Sequence, residues 1–344
     1  MITLDALRAL ADPTRLRIMR LLASMELAVG ELALVLGQSQ PRVSRHMKIL
    51  CDAGLAERRK EGGWVFLRAA VNEDPALSRH GALGAALARL LDRAEQEDPA
   101  FAGHSAEDRQ HLDAIRQSRE SHAADYFARH AEQWDELRSL HIADGPVETA
   151  LAEMLGASLG RLLDIGTGTG RMAELFAPLA DHTVAFDKSP EMLRIARARL
   201  QHFPADKVEL VQGDFTALPF ADGSFDTLLF HQVLHYAQAP EYALAEAARV
   251  TRPGGRIAIV DFAAHDREEL RERHAHARLG FSDAQVAGLL NDAGFASEAD
   301  RALAGRELII KIWTGVRRDD AVAMPTPLRP VPLKPTPLKK VAGK

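Results

Sequence analysis

Three glycines at alternate positions, Gly166, Gly168 and Gly170, follow an acid near the end of an apolar run, Leu162-Leu163-Asp164-Ile165. Glycine at this spacing lets the backbone turn sharply and approach a ligand closely, and the free N–H groups of the helix that follows favour an anionic or carboxylate group. Thr167 lies inside the turn, and Arg171 stands where a dinucleotide-binding fingerprint would need its third glycine. Asp187 ends the next apolar run, Thr183-Val184-Ala185-Phe186, 17 residues past Gly170; a carboxylate there can accept both hydroxyls of a ribose. Lys188 and Met192 open the helix beyond it, with Met192 able to lie against an adenine face. Gly213-Asp214-Phe215 ends a third run, where an acid suits an exocyclic amine and the Phe215 backbone meets the ring. After a fourth run come His231, Gln232, His235 and Tyr236; His231, His235 and Tyr236 are the candidate catalytic groups, and His265 is a further candidate base. Each imidazole could equally be a packed or solvated histidine. The glycines alone also fit an α/β turn that holds no ligand.

The elements that must position these residues alternate strand and helix. Strands are expected over 162–165, 183–187, 208–212, 225–230, 257–262 and 307–314, the pattern of a doubly wound parallel sheet whose ligands lie beyond the carboxyl ends of its strands. From about Gly160 to Val316, with Asp164, Gly166, Gly168, Gly170, Asp187, Asp214 and Pro253-Gly254-Gly255 in place, the chain resembles the class I S-adenosylmethionine (SAM) methyltransferases. The resemblance implies a Rossmann-like seven-stranded domain over 151–316, and SAM or S-adenosylhomocysteine (SAH) held by the residues above. Ala124-Asp125-Tyr126-Phe127-Ala128-Arg129 and Trp134-Asp135 resemble the helical lid of ubiquinone-type C-methyltransferases, which implies that Tyr126 and Trp134 also meet the cofactor. Packing of these aromatics in a core is the alternative.

The N-terminal segment has a different chemistry. Apolar residues recur at helical spacing on either side of Asp12-Pro13-Thr14, a short helix runs from Val29 to Leu36, and Gly37 ends it. A helix follows from Ser39, with Ser39 expected as its side-chain cap, Pro41 in its first turn and Val43, Met47 and Leu50 buried. Gln40, Arg42, Ser44, Arg45, His46 and Lys48 supply donors for base edges and phosphates. A hairpin from Leu55 to Phe66 puts Arg58-Arg59-Lys60 at a basic tip closed by Gly62-Gly63. Residues 7–18, 41–50 and 53–55 resemble the ArsR-type winged-helix regulators, which implies a homodimer reading a pseudo-palindromic double-stranded DNA operator. Many such regulators sense metals through cysteines in the first helix of the motif; here that helix reads Glu31-Leu32-Ala33-Leu34-Val35-Leu36, so no metal site is expected.

A helix from Pro75 to about Gln96, with Leu77, Leu83, Leu87, Leu90 and Leu91 in one stripe, is expected to pack on a dimer partner or on its own domain. Asp98–Gly103 reads as a break, and a polar helix with scattered histidines runs from Ser105 to about Ile142. The expected division is therefore 1–98 winged helix, 99–150 helical linker and lid, 151–316 SAM-binding domain and 317–344 a disordered Pro- and Lys-rich tail. Residues 1–72 carry 11 Lys/Arg against 7 Asp/Glu and residues 317–344 carry 7 against 2, so the net charge of −5 conceals an acidic body between basic ends. One end suits a polyanion. Cys51 is the only cysteine, which excludes an intramolecular disulfide and the thiolate set that arsenic binding requires. No run is long enough to cross a bilayer and the first residues lack a secretory pattern, so a cytoplasmic protein without membrane contact is expected. Two functions follow: a DNA-binding regulator with SAM or SAH as effector, or a SAM-dependent methyltransferase of a small-molecule acceptor that also regulates its own operon.

Overall fold

Asp12 accepts the Arg15 N–H (3.1 Å) ahead of Pro13, and this cap separates α1 (Ile2–Leu10) from α2 (Pro13–Ser24). The computed structural model describes residues 2–61, 64–71, 80–139, 144–305 and 308–319. After β1 (Leu27–Ala28), α3 (Val29–Leu36) ends at Gly37, whose φ of 62° suits glycine. α4 (Gln40–Asp52) begins at Ser39, which makes no side-chain cap bond, contrary to the sequence expectation. β2 (Ala56–Glu61) and β3 (Trp64–Ala69) form the hairpin, and the three strands pair in the order β1-β3-β2. Val43, Met47 and Leu50 of α4 close one core with Ile18, Leu32 and Leu67.

α5 (Ala82–Glu97) is shorter than expected and buries Leu87 and Leu91 in this same core, while Leu90 is exposed. The break at 98–103 is confined to one residue. Asp98 ends α5 and caps α6 (Pro99–His130), accepting from Ala100 and Phe101 N–H groups. α6 has 32 residues, or about 48 Å at the usual rise. Ser105, Asp108 and Leu112 form its buried stripe toward the winged helix, where Arg17 donates two bonds to Asp108 (2.6 and 2.8 Å). Eighteen residues on, Tyr126 of the same helix is buried in the other half of the molecule.

That half begins with α7 (Trp134–Ser139) and α8 (Asp144–Leu155) and continues as β4 (Gly160–Ile165), α9 (Arg171–Phe176), β5 (Ala180–Asp187), α10 (Pro190–Leu200), β6 (Val208–Gln212), β7 (Phe225–His231), α11 (Pro240–Val250), β8 (Thr251–Phe262), α12 (Glu268–His274), α13 (Asp283–Asp292), β9 (Phe295–Ala304) and β10 (Ile309–Arg317). The seven strands are ordered β6-β5-β4-β7-β8-β10-β9, with β10 antiparallel to β8 and β9. Leu163 pairs with Val184 on one side and Leu228 on the other, so β4 is central and apolar on both faces. Full burial of such Leu, Val, Ile and Phe side chains contributes about 1.5–3 kcal/mol each, which offsets the cost of enclosing Asp164 within the same strand. β8 is longer than the run expected from sequence, and β9 was not anticipated, because its Phe-Ala-Ser-Glu-Ala-Asp-Arg run is mostly exposed and polar. The Gly62-Gly63 turn, Leu77, Ile142, Glu307 and the tail from 320 onward lie outside the described residues. No helix among the described residues is long and apolar enough to cross a membrane.

Candidate functional site

The strand order reverses between β5 and β7 around β4, and the glycine loop leaves β4 at that switch point. Gly166 and Thr167 N–H groups both donate to Phe186 O (2.8 and 2.9 Å), which draws the loop onto the end of β5. At Gly166, φ is 71° and a Cβ would lie 2.3 Å from Val233 Cγ2; only glycine fits. Gly168 N–H donates to Asp187 Oδ2 and Ser189 N–H to Asp187 Oδ1, each at 2.8 Å, so the acid is fixed by both the loop and its own turn. Burial raises the Asp187 pKa against these N–H bonds, which lower it. Gly170 stands at the N-cap of α9.

Asp164 is fully buried under the loop and accepts from Thr167 Oγ1 (2.6 Å), while its Oδ1 has no partner among the described residues. Burial, with nearby Asp187 adding, pushes its pKa up to about 7. Lys188 is paired with Asp214 (2.8 Å), and Thr216 N–H and Oγ1 also bind Asp214, so this acid is held below its ordinary pKa. Met192 is buried on α10, its N–H capped by Ser189. A Cβ on Gly213 would meet the Phe186 ring at 2.8 Å, and Phe215 packs on the core of the same sheet.

α7 lies over this loop. Thr169 Oγ1 donates to Asp135 (2.7 Å), Arg199 binds both, and a Cβ on Gly168 would sit 3.4 Å from the Trp134 indole nitrogen. Beside it is a small cleft. Tyr126, Trp134, His235 and Tyr236, all singled out in the sequence, line it together with Phe262, His274 and His276, which were not. Tyr126 Oη and His274 Nδ1 are hydrogen-bonded (2.8 Å). His235 Nδ1 bonds Asp261 Oδ1 (2.7 Å), and Asp261 Oδ2 accepts the His235 backbone N–H (3.1 Å). Asp261 is the one acid within the apolar run Ile257–Phe262, a signal that sequence reasoning could have used. His231 is buried a little away, with Arg138 Nη1 donating to its Nδ1 (3.3 Å); burial and that cation hold its pKa well below the usual imidazole range. Burial likewise raises the Tyr236 phenol, and lowers His265 to about 4. Gln232 adopts φ 52° at the turn that brings these groups together. Among the described residues no group of three or more His, Cys, Asp or Glu side chains is placed to hold a metal ion.

On the winged helix, Gln40, Arg42, Ser44, Arg45 and Lys48 are exposed along α4. His46 is not on that face. Its Nδ1 sits 3.8 Å from Asp12, and burial lowers its pKa. Arg58 and Lys60 are exposed on β2, but Arg59 points to the opposite side, as strand alternation requires. Its guanidinium binds Glu26 (2.8 Å) and lies 5.0 Å from the Phe66 ring centroid. Arg59 is thus corrected from a wing-tip DNA contact to an interior one.

The same Glu26 oxygen, Oε2, also meets Arg278 (3.4 Å), and Arg271 of α12 covers Phe66 at 5.3 Å. Arg278 also donates through Nη2 to Gln238 O (3.0 Å) and through its backbone N–H to His235 O (2.9 Å). Residues 268–278 therefore have two faces. Arg271 and Arg278 seat the wing, while His274 and His276 line the cleft.

Comparison with known proteins agrees with both halves. Residues 12–58 match the bacterial regulatory protein, arsR family, and residues 163–259 match the methyltransferase domain family. Demethylmenaquinone methyltransferase of Renibacterium salmoninarum is 38% identical over 113 residues, 33% of this chain and 46% of that protein. Malonyl acyl-carrier-protein O-methyltransferase of Methylococcus capsulatus is 39% identical over 121 residues, 34% of this chain and 42% of that protein. The chain thus spans less than half the length of these curated relatives. Among solved structures, the Burkholderia thailandensis 1,6-didemethyltoxoflavin-N1-methyltransferase, in complex with its substrate and SAH, aligns over 58% of this chain and 90% of that one, with 23% identity and a TM-score of 0.46. Residues 12–58, with the helix-turn-helix of α3 and α4, are thus of arsR-family type, and residues 163–259, within the seven-stranded sheet, are of the methyltransferase domain family.

Proposed function

We propose that the chain is a DNA-binding transcriptional regulator of ArsR type whose methyltransferase domain binds SAM or SAH as an effector. The observation that carries this reading is the two-faced segment 268–278, which seats the wing through Arg278 and Glu26 and lines the cleft through His274 and His276. A ligand that repacks the cleft face shifts the wing, provided it binds one arrangement more tightly than the other. α6 adds a second link, since one uninterrupted helix holds Arg17 through Asp108 and brings Tyr126 into the cleft.

The residues present suit the cofactor. Gly166 lets the loop turn closely against Val233, Asp187 is fixed at the ribose position of a switch-point site, and the unpartnered Asp164 Oδ1 matches a cationic ammonium. Asp214 and Met192 complete an adenine side, and Trp134 closes over the loop. The methyltransferase names of the relatives support the same cofactor class. When bound, SAM supplies an electrophilic methyl group on a sulfonium. The chain acts as a homodimer on a double-stranded operator, with α4 in the major groove and Arg58 and Lys60 on phosphates.

The test uses a duplex selected by this protein from random DNA. SAM or SAH changes its affinity for that duplex; an affinity that does not move with either ligand refutes the effector role. A second reading, an active SAM-dependent methyltransferase of a small molecule that also regulates its own operon, is favoured by one observation, the buried His235–Asp261 pair at the cleft.

A further inference from the structure

The pair His235–Asp261 is buried beside the cleft. His235 is 2% exposed and Asp261 0%. Asp261 takes the His235 backbone N–H on Oδ2 and, on Oδ1, both the His235 Nδ1 and the N–H of its neighbour Phe262. With Nδ1–H committed to the carboxylate, the proton-free nitrogen of the neutral ring is Nε2. Nε2 is buried and has no hydrogen-bond partner among the described residues, although His235 lines the cleft. A buried acceptor left without a partner is costly, about 1–3 kcal/mol, and so calls for a ligand.

The rest of the cleft limits what that ligand is. Its walls are flat: the rings of Tyr126, Trp134, Tyr236, Phe262 and His276 surround it, and among the described residues no carboxylate lines it. His235 lies 4.1 Å from the Tyr236 ring and 4.2 Å from the His276 ring, centroid to centroid, tilted against both, so the imidazole is enclosed by aromatic rings. Arg138, 6% exposed, is the cation on the lining, beside His231 and Asp135.

We infer that Asp261 and His235 are a general-base pair for a methyl acceptor that is a hydroxyl on a planar aromatic ring. This rests on the second reading above, that the domain transfers methyl groups. The acceptor oxygen forms a bond to the methyl carbon and gives its proton to His235 Nε2. The electron pair of the broken carbon–sulfur bond stays on the donor sulfur, which becomes a neutral thioether. His235 becomes an imidazolium, and Asp261 holds that charge without itself taking the proton. Arg138 stabilises the oxyanion as it forms. Asp261 is the positioning residue, because it fixes the tautomer and ring angle of His235.

The experiment needs no methyl donor. Para-nitrophenol, whose ionisation is visible in its absorbance, is titrated against the full chain across pH. Bound to the native protein, its apparent pKa is expected to fall by at least about one unit, a tenfold gain in the phenolate-to-phenol ratio at fixed pH. Asp261→Asn is expected to reduce that shift and His235→Gln to abolish it, with SAH binding by calorimetry retained in both. Native protein that binds SAH and the phenol without any shift in its ionisation overturns the base pair while leaving the methyltransferase reading standing. Native protein that binds no SAH overturns that reading instead. Should His235→Gln fail to fold, the native titration and Asp261→Asn decide the matter, and an Asp261→Asn shift equal to the native one contradicts the role of Asp261.

Discussion

Glu26, at the base of the winged helix, and Arg278, whose backbone N–H bonds the cleft residue His235, meet at 3.4 Å, and the same carboxylate oxygen, Oε2, holds Arg59 of the wing at 2.8 Å. Little water reaches this triad: the side chains of Glu26 and Arg278 are 13% and 9% exposed. Burial acts to raise the Glu26 pKa, but Arg278 and Arg59 outweigh it and hold the carboxylate below its ordinary value. A depressed carboxylate stabilises the fold at pH values above its unfolded pKa, and that contribution is lost as pH falls through the folded value. Glu26→Gln leaves two guanidinium groups without their acid, at a cost of about 3 kcal/mol. The winged helix is then expected to melt separately from the sheet domain in calorimetry; one unchanged transition refutes the coupling.

Arg59 and Arg58 are adjacent in sequence and separate in role. Arg58→Ala removes an exposed cation, so it is expected to weaken DNA binding about equally on all sequences and to lower the salt slope by about one. Arg59→Ala is expected to leave the salt slope unchanged and to alter the response to SAM or SAH, because it releases Glu26. Equal salt slopes for the two variants contradict the inward placement of Arg59.

Arg45 is exposed on α4 among Arg42, Ser44 and Lys48. Arg45→Ala is expected to cost about 1–3 kcal/mol on the selected duplex and to relax discrimination at one base position. A loss of the same size on random DNA assigns Arg45 to the phosphates instead.

Asp187 is fixed by the Gly168 and Ser189 N–H groups. Asp187→Ala is expected to weaken SAM binding by about 2 kcal/mol, the scale of a charged hydrogen bond. Calorimetric affinity that does not change contradicts the ribose assignment. Gly166→Ala, whose Cβ would collide with Val233, is expected to abolish binding as well, through the loop rather than through a lost contact.

Asp164, with a pKa of about 7, makes the site pH-sensitive. A raised acid binds more protons folded than unfolded, so its ionisation costs stability as pH rises from the unfolded value toward 7, and that cost levels off above it. An ammonium bound at Oδ1 favours the carboxylate. SAM binding is therefore expected to strengthen between pH 6 and pH 8 and to release protons, measured as a dependence of calorimetric heat on buffer ionisation enthalpy. Asp164→Asn is expected to flatten this profile; a native profile without proton release removes Asp164 from the ligand contacts.

The sheet, the glycine loop and Asp187 were readable because each depends on local order: apolar runs, an acid at a strand end, glycines at alternate positions. α4 was readable for the same reason. Arg59 was misplaced because its direction depends on strand register, which the run Arg58-Arg59-Lys60 does not reveal. β9 was missed because an exposed edge strand needs no apolar pattern. His274, His276 and Arg278 carry no local signal; α12 brings them to the cleft and the wing only once the two halves are docked. Asp261 was legible in principle, as a charge inside an apolar strand.

The central claim is that the wing and the cleft share one element. The direct measurement is calorimetric titration of SAH into the full chain with and without the selected duplex, repeated with Arg278→Ala. The DNA is expected to change SAH affinity by the same factor by which SAH changes DNA affinity, as linkage requires, about fivefold or more, and Arg278→Ala is expected to bring both factors to one. Equal SAH affinity with and without DNA in the native chain contradicts it.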